Sequence, residues 1–235
     1  MSAVSLRGVG KAYGGAASFA ALRDVDLDVE SGEFLVITGR SGCGKTTLLN
    51  VVSGLATPSS GTVTVNGRDL WSMSDAERSR LRNRTMGFVF QFPSLIPGLS
   101  LEQNVTLPLD FGSGEHPDAR SRARDLLDLV GLGDRADALP RQLSAGQQQR
   151  VVIARALVNA PSLLLADEPS SDLDEETEAE IMDIFGRIHA ERALTVLMVT
   201  HARHLIAVGT RHLEMSDGTV RDDSGRRGRP PVAAD

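Results

Sequence analysis

A chain of 235 residues with 41% hydrophobic and 24% charged side chains is long enough to bury a sizeable core and has an ordinary globular composition. Its formal net charge of −6 excludes broad binding to nucleic acid, which needs a basic surface, and leaves open only a local phosphate site built from loop amides and a lysine. The single cysteine, Cys43, excludes an internal disulfide framework and a CxxC redox or metal motif, and it fits a reducing compartment. The N-terminal MSAVSLRGVGKAYGG lacks an apolar stretch followed by a small-residue cleavage site, and no apolar run approaches the roughly 20 residues of a membrane span. The expectation is therefore a cytoplasmic protein with no direct membrane insertion.

In chain order, Ala21 to Glu30 alternates apolar and polar residues, the pattern of a half-buried strand. Phe34 to Thr38 (FLVIT) is a short continuous apolar run that stops at Gly39 and predicts a buried strand. Thr46 to Leu55 has helical spacing, Thr62 to Val65 is a strand closed by the Asn66-Gly67 turn, and Met86 to Phe90 is a further strand. From about Pro93 to Pro161, Gly and Pro punctuate helical stretches at Leu101 to Leu109, Asp118 to Val130 and Gly146 to Asn159. This region predicts a helical subdomain inserted between sheet strands. Parallel-sheet character returns at Leu163 to Ala166 and at Leu194 to Thr200, with a crossover helix, Glu175 to Ala190, between them. The tail from Asp222 (DDSGRRGRPPVAAD) is rich in Gly, Pro and charge and predicts disorder. No internal repeat is present.

The chemistry concentrates at two places. Gly39-Arg40-Ser41-Gly42-Cys43-Gly44-Lys45-Thr46 fits the P-loop pattern G-x-x-x-x-G-K-[ST], with a strand before it and a helix after it. Glycines let the backbone wrap phosphates so that successive N–H groups point inward, and the helix that follows adds its positive end. Lys45 is expected at the β- and γ-phosphates of ATP, the Thr46 hydroxyl on Mg²⁺, and Thr47 beside it in the nucleotide-binding set. Leu163 to Glu168 (LLLADE) is an apolar strand ending in adjacent carboxylates, whose side chains alternate faces and so can serve different tasks. Alone, the pair would serve equally well as a strand end before Pro169. Beside a P-loop, Asp167 is expected in the Mg²⁺ shell and Glu168 as the group that polarises the attacking water.

Leu143-Ser144-Ala145-Gly146-Gln147-Gln148-Gln149-Arg150 resembles the LSGGQ signature that distinguishes ABC ATPases from other P-loop proteins, departing from it at Ala145. The resemblance runs from Val4 to about Val220 and implies an α/β fold: a P-loop NTPase core with a mixed sheet, an N-terminal antiparallel β subdomain and an inserted helical subdomain at about 93–161. It implies a single ABC ATPase domain over 1–221. It further implies that Ser144, Gly146 and Gln147 face the γ-phosphate held by a second copy in an ATP-sandwich dimer, and that Gln91 is the Q-loop glutamine, a Mg²⁺ ligand that also senses the transmembrane partner. His201 corresponds to the switch histidine and Tyr13 to the A-loop aromatic that stacks on adenine. Ser170-Ser171-Asp172-Leu173-Asp174 corresponds to the D-loop, with Ser171 and Asp172 departing from the commoner residues. The implied catalytic set is Lys45, Gln91, Glu168 and His201; the metal set is Thr46, Gln91 and Asp167; Gly39 to Thr47 cradle the nucleotide. Cys43 fills a variable P-loop position with no redox role.

Gly87 to Leu109 and the triple glutamine Gln147 to Gln149 resemble the lipoprotein-release and macrolide-export branch of the family. That implies a membrane permease subunit as partner and a location on the cytoplasmic face of the membrane through that subunit. Phe92, Leu95, Ile96 and Leu99 place apolar side chains on a loop-rich segment right after Gln91, which either docks a short cytoplasmic helix of that permease or packs the subdomain. Three classes of function follow from the family: transport motor, regulatory ATPase on a cell-division-type permease, and soluble ABC ATPase of repair or translation. The compact interval between P-loop and signature, and the single ATPase unit, speak against the soluble class. Transported substrate and direction are set by the permease.

Overall fold

The computed structural model describes residues 2–14, 19–112 and 116–222; apart from Asp222, the tail expected to be disordered lies outside them. In chain order the strands are β1 (Ser2–Tyr13), β2 (Phe19–Glu30), β3 (Phe34–Thr38), β4 (Ser60–Val65), β5 (Arg68–Asp69), β6 (Met86–Val89), β7 (Leu163–Asp167), β8 (Thr195–Thr200), β9 (Arg211–Ser216) and β10 (Thr219–Asp222). The α-helices are α1 (Lys45–Val52), α2 (Asp75–Thr85), α3 (Leu101–Asp110), α4 (Ala119–Leu129), α5 (Ala145–Leu157) and α6 (Glu175–Arg192). The chain divides into two compact units, residues 1–74 with 193–235, and residues 75–192. Among the described residues no helix is long and apolar enough to cross a membrane.

The first unit contains an antiparallel sheet in the order β2-β1-β4-β5. Val25, Leu27 and Val29 of β2 are buried while Asp26 and Glu30 are exposed, as the alternation requires. Asn66 (φ 49) and Gly67 (φ 74) form the left-handed two-residue turn between β4 and β5, whose twist matches that of the strands it joins. β1 escapes the alternation rule because its register shifts between Leu6 and Val9 and again between Val9 and Lys11, around Gly8 and Gly10. In the same unit β3 runs parallel to β8 on one side and β9 on the other, and β10 closes antiparallel on β9. Flanked by strands on both edges, all five residues of β3 are buried, which explains an apolar run without alternation.

The helix after β3 is shorter than its spacing suggests. It stops at Val52 because Gly54 adopts φ 68, with Leu55 N–H donating to the Asn50 carbonyl at 2.9 Å and Gly54 N–H to the Val51 carbonyl at 3.1 Å. That paired closure is a glycine-dependent helix stop, and it leaves Leu55 outside the helix.

The second unit carries β6 and β7 as a parallel pair together with α2 to α6. Gly87 is required in β6, since a Cβ there would lie 2.3 Å from the Ala156 carbonyl oxygen of α5. α3 begins with a capping box between Ser100 and Gln103. Its buried Glu102 receives Arg120 Nε at 2.7 Å and Arg124 Nε at 2.8 Å, which ties α3 to α4. Burial alone would raise the Glu102 carboxyl; the hydrogen bonds from Arg124 and Arg120 outweigh it and hold the group below the usual carboxylate range. α2 is not legible as a periodic segment, because only Leu81 of its residues is buried. It forms with Asp75 and Glu77 in its first turn and Arg82 and Arg84 in its last, the distribution that complements the helix dipole.

Candidate active site

In the first unit the P-loop spans the link between β3 and α1. Lys45 is 6% exposed and its ammonium donates to the carbonyls of Gly39 at 2.8 Å and Arg40 at 3.3 Å. The loop is thus closed over its own lysine ammonium. Gly44 has φ 112 and caps α1; a Cβ there would sit 2.3 Å from the Ala21 carbonyl oxygen of β2, so only glycine allows that approach. At the turn between β9 and β10, Gly218 N–H donates to the Cys43 carbonyl and its own carbonyl accepts from Arg23 N–H. The turn therefore binds the P-loop and β2 together. Thr46 is exposed at the start of α1, and Thr47 lies partly exposed beside it.

Sheet register brings other expected residues toward this loop. Thr38, the last residue of β3, is paired with Thr200, the last of β8, so Gly39 and His201 leave their strands from the same rung. His201 is exposed there. Tyr13 ends β1 opposite Phe19 of β2, while Ala21 of β2 abuts Gly44. Tyr13 is 44% exposed, and the ammonium of Lys11 lies 4.7 Å from its ring centroid.

The second unit assembles the other expected residues. In the parallel pair Val89 is opposite Ala166, so Gln91 and Glu168 each stand two residues beyond the same rung. Gln91 Nε2 donates to Asp172 Oδ2 at 3.3 Å, which commits its amide nitrogen and leaves the amide oxygen to accept elsewhere. Asp167 ends β7 and Glu168 follows it, both half-buried, and Glu168 takes φ 48, a left-handed conformation uncommon outside glycine. In the following loop the Ser170 hydroxyl donates to Glu178 at 2.8 Å. Asp174 accepts from the backbone N–H and then the hydroxyl of Thr177, bonds that hold its carboxyl below the usual range.

Ser144 caps α5, a helix of 13 residues, accepting from Gln147 N–H at 3.3 Å while the Gln147 side chain accepts from Ser144 N–H at 3.1 Å. Since the serine oxygen accepts this bond, its O–H remains a donor toward an anion at the helix end. Ala145 is exposed, so its methyl group meets no packing obstacle. Gly146 is different: a Cβ there would lie 2.2 Å from Thr177 Cγ2. Thr177 cannot turn away without breaking its hydroxyl bond to Asp174 at 2.8 Å. Gly146→Ala is therefore expected to cost about 1–3 kcal/mol of stability by overpacking. Thr177→Ala in the same chain should restore most of it, as a shift in Tm would show, whereas Ala145→Gly should leave the fold intact.

Several supporting residues had no role assigned to them by the motifs. Gln149, 2% exposed, donates to the Phe90 carbonyl at 3.0 Å and so links α5 to the residue before Gln91. Asn104, fully buried, donates to the carbonyls of Ile96, Leu99 and Ser100 and accepts from Ile96 N–H. Arg155 donates to the Ser94 carbonyl at 2.7 Å. The loop from Phe92 to Leu99 is thus fixed from beneath while Phe92 is 67% and Ile96 42% exposed. The available signal was a polar residue inside an apolar helical stripe, as with Asn104 between Leu101 and Val105.

The family model for ABC transporters matches residues 22–171. The chain is 43% identical over 218 residues to an uncharacterized ABC transporter ATP-binding protein of Methanocaldococcus jannaschii, covering 92% of this chain and 97% of that protein. It is 43% identical over 216 residues to the lipoprotein-releasing system ATP-binding protein LolD of Bordetella pertussis, covering 92% and 94%. Against the macrolide export ATP-binding/permease protein MacB of Syntrophobacter fumaroxidans it is 41% identical over 234 residues, 98% of this chain but 33% of the relative, so it spans about a third of that longer protein. Among solved structures, the dimeric ATP-binding cassette MJ0796 in a post-hydrolysis state with ADP and Pi superposes with a TM-score of 0.85 at 38% identity, covering 95% of this chain and 100% of that one. The likeness bears out the expected P-loop ATPase fold, with its antiparallel and mixed sheets.

Proposed function

The chain belongs to the ABC transporter family, and we propose that it is the ATP-binding and ATP-hydrolysing subunit that drives a membrane permease. The observation that carries this reading is the pairing of a closed P-loop around Lys45 with a capped signature helix that offers the Ser144 hydroxyl and its first amides to an anion. The first feature binds phosphates; the second is a half-site suited to the phosphate of a second copy. A dimeric relative bound to ADP and Pi supports that arrangement.

In this reading the amides of Gly39 to Thr47, with Arg40, Ser41, Gly42, Cys43 and Gly44 between, wrap the phosphates, and Lys45 neutralises the β- and γ-oxygens. Tyr13 stacks on adenine. Glu168 accepts the proton of the attacking water, and His201 contacts the γ-phosphate and holds Glu168 in place. Ser144, Gly146 and Gln147 of the second copy donate to the γ-phosphate. Thr46, Gln91 and Asp167 offer a hydroxyl, an amide oxygen and a carboxylate, a set of hard oxygen donors that fits Mg²⁺. Among the described residues no cluster of three or more His, Cys, Asp or Glu could by itself hold a metal ion. Held by these three residues, Mg²⁺ would supply positive charge to offset the negative charge that develops on the phosphates.

The braced, exposed loop from Phe92 to Leu99 would dock a cytoplasmic segment of the permease, keeping the subunit at the cytoplasmic face. The relatives LolD and MacB support the lipoprotein-release and macrolide-export branch. Light scattering of the Glu168→Gln variant tests the assembly: mass should double on adding Mg·ATP and stay monomeric with Mg·ADP. A monomer under saturating Mg·ATP would overturn the sandwich.

A further inference from the structure

We propose that Lys11 is a positioning residue for the nucleotide base, covering one face of the Tyr13 ring so that the opposite face is held ready for adenine. The inference rests on the ATP-binding reading above and goes beyond it by assigning a residue outside every motif of the chain.

Three observations carry it. The Lys11 ammonium lies 4.7 Å from the Tyr13 ring centroid, within cation–π range. It is itself anchored, donating to the Thr57 carbonyl at 2.7 Å. The strand end that bears both residues is pinned to the same turn, with Ala12 N–H donating to Ser59 Oγ at 3.0 Å and Ser59 N–H to the Gly10 carbonyl at 2.7 Å. Lys11 and Tyr13 both lie at the end of β1, two residues apart, and their side chains meet there. Even so, Tyr13 stays 44% exposed.

The physical consequence is preorganisation. An exposed tyrosine at a strand end samples several rotamers, and a stacked base must then freeze one of them. A fixed cation over one face selects the rotamer beforehand and directs any incoming flat ring to the other face. Stacking reads no base-specific hydrogen bonds, so the effect should fall alike on ATP, ADP and GTP. It should be absent for a ligand without a base. Affinity should change equally for the ground and transition states, which places the loss in KM rather than kcat.

The test is equilibrium binding of fluorescent ATP and ADP analogues to the full chain, with inorganic triphosphate as a base-free competitor. Lys11→Ala should weaken both nucleotides by the same factor, about 2- to 5-fold on the scale of an exposed cation–π contact, and leave triphosphate competition unchanged. Lys11→Arg, which keeps a cation over the ring, should restore affinity, and Lys11→Met, which keeps the stem without the charge, should not. In a Tyr13→Ala background, Lys11→Ala should add nothing. An equal loss in that background, weakened triphosphate binding, or normal affinity in Lys11→Met would each overturn the positioning role. A parent chain that binds no nucleotide would instead overturn the ATP reading itself, so the two failures are distinct.

Discussion

Lys45→Ala is expected to lose ATP binding by two orders of magnitude or more. The ammonium sits 6% exposed among the loop carbonyls of Gly39 and Arg40, at 2.8 and 3.3 Å, so its geometry is set before phosphate arrives. A bound β,γ-phosphate pair would gain charge-assisted hydrogen bonds from this group at about 1.5–3 kcal/mol each, and removing two of them corresponds to roughly 10²-fold or more in affinity. The alanine also leaves those carbonyls without their internal donor, so loop order should fall along with affinity. Lys45→Arg keeps the charge but not the compact ammonium that fits beneath the loop, and should rescue little. Calorimetric titration with ATP and ADP measures this directly. A loss below about tenfold, less than a single charge-assisted bond would contribute, would show that Lys45 is a structural lysine closing its own turn.

Much of this architecture was legible because it depends on near neighbours in sequence. The FLVIT run, the Asn66-Gly67 turn and the Ser144 capping box each carry their structural reason within a few residues. β1 was hidden by register shifts around Gly8 and Gly10, which destroy the period that would announce a strand. α2 was hidden by its single buried residue, since a helix held by end charges and one apolar contact leaves no stripe. At the candidate site, the expected residues were named from motif spacing, but the side chains that support them were not. Gly146 meets Thr177, and Gln149 meets the Phe90 carbonyl, across separations of about 30 and 60 residues that no local pattern encodes. The left-handed backbone of Glu168 was equally silent, because glutamate followed by proline suggests an extended residue rather than φ 48.

That backbone bears on the second large effect. Glu168→Gln should lower steady-state phosphate release by about 10²- to 10⁴-fold, the usual contribution of a general base, while ATP affinity stays near that of the parent chain. Glutamine has almost the same size and can still hydrogen-bond a water, but it cannot take its proton. Glutamine also shares glutamate's backbone preferences, so the cost of holding φ 48, on the order of 1–3 kcal/mol for a non-glycine residue, is the same in both chains. Tm should therefore barely move, and lost turnover could not be blamed on unfolding. Asp167→Asn should behave differently, weakening Mg²⁺-dependent nucleotide binding itself, because a neutral amide is a poor substitute for a carboxylate in a hard-cation shell. His201→Ala should resemble Glu168→Gln in turnover and not in affinity. Measuring phosphate release, ATP affinity and Tm on the same preparations separates these outcomes. If Glu168→Gln kept more than about a tenth of the parent rate, well above what loss of a general base allows, Glu168 would be a structural carboxylate at a strained strand end, and the water would have to be activated by another group.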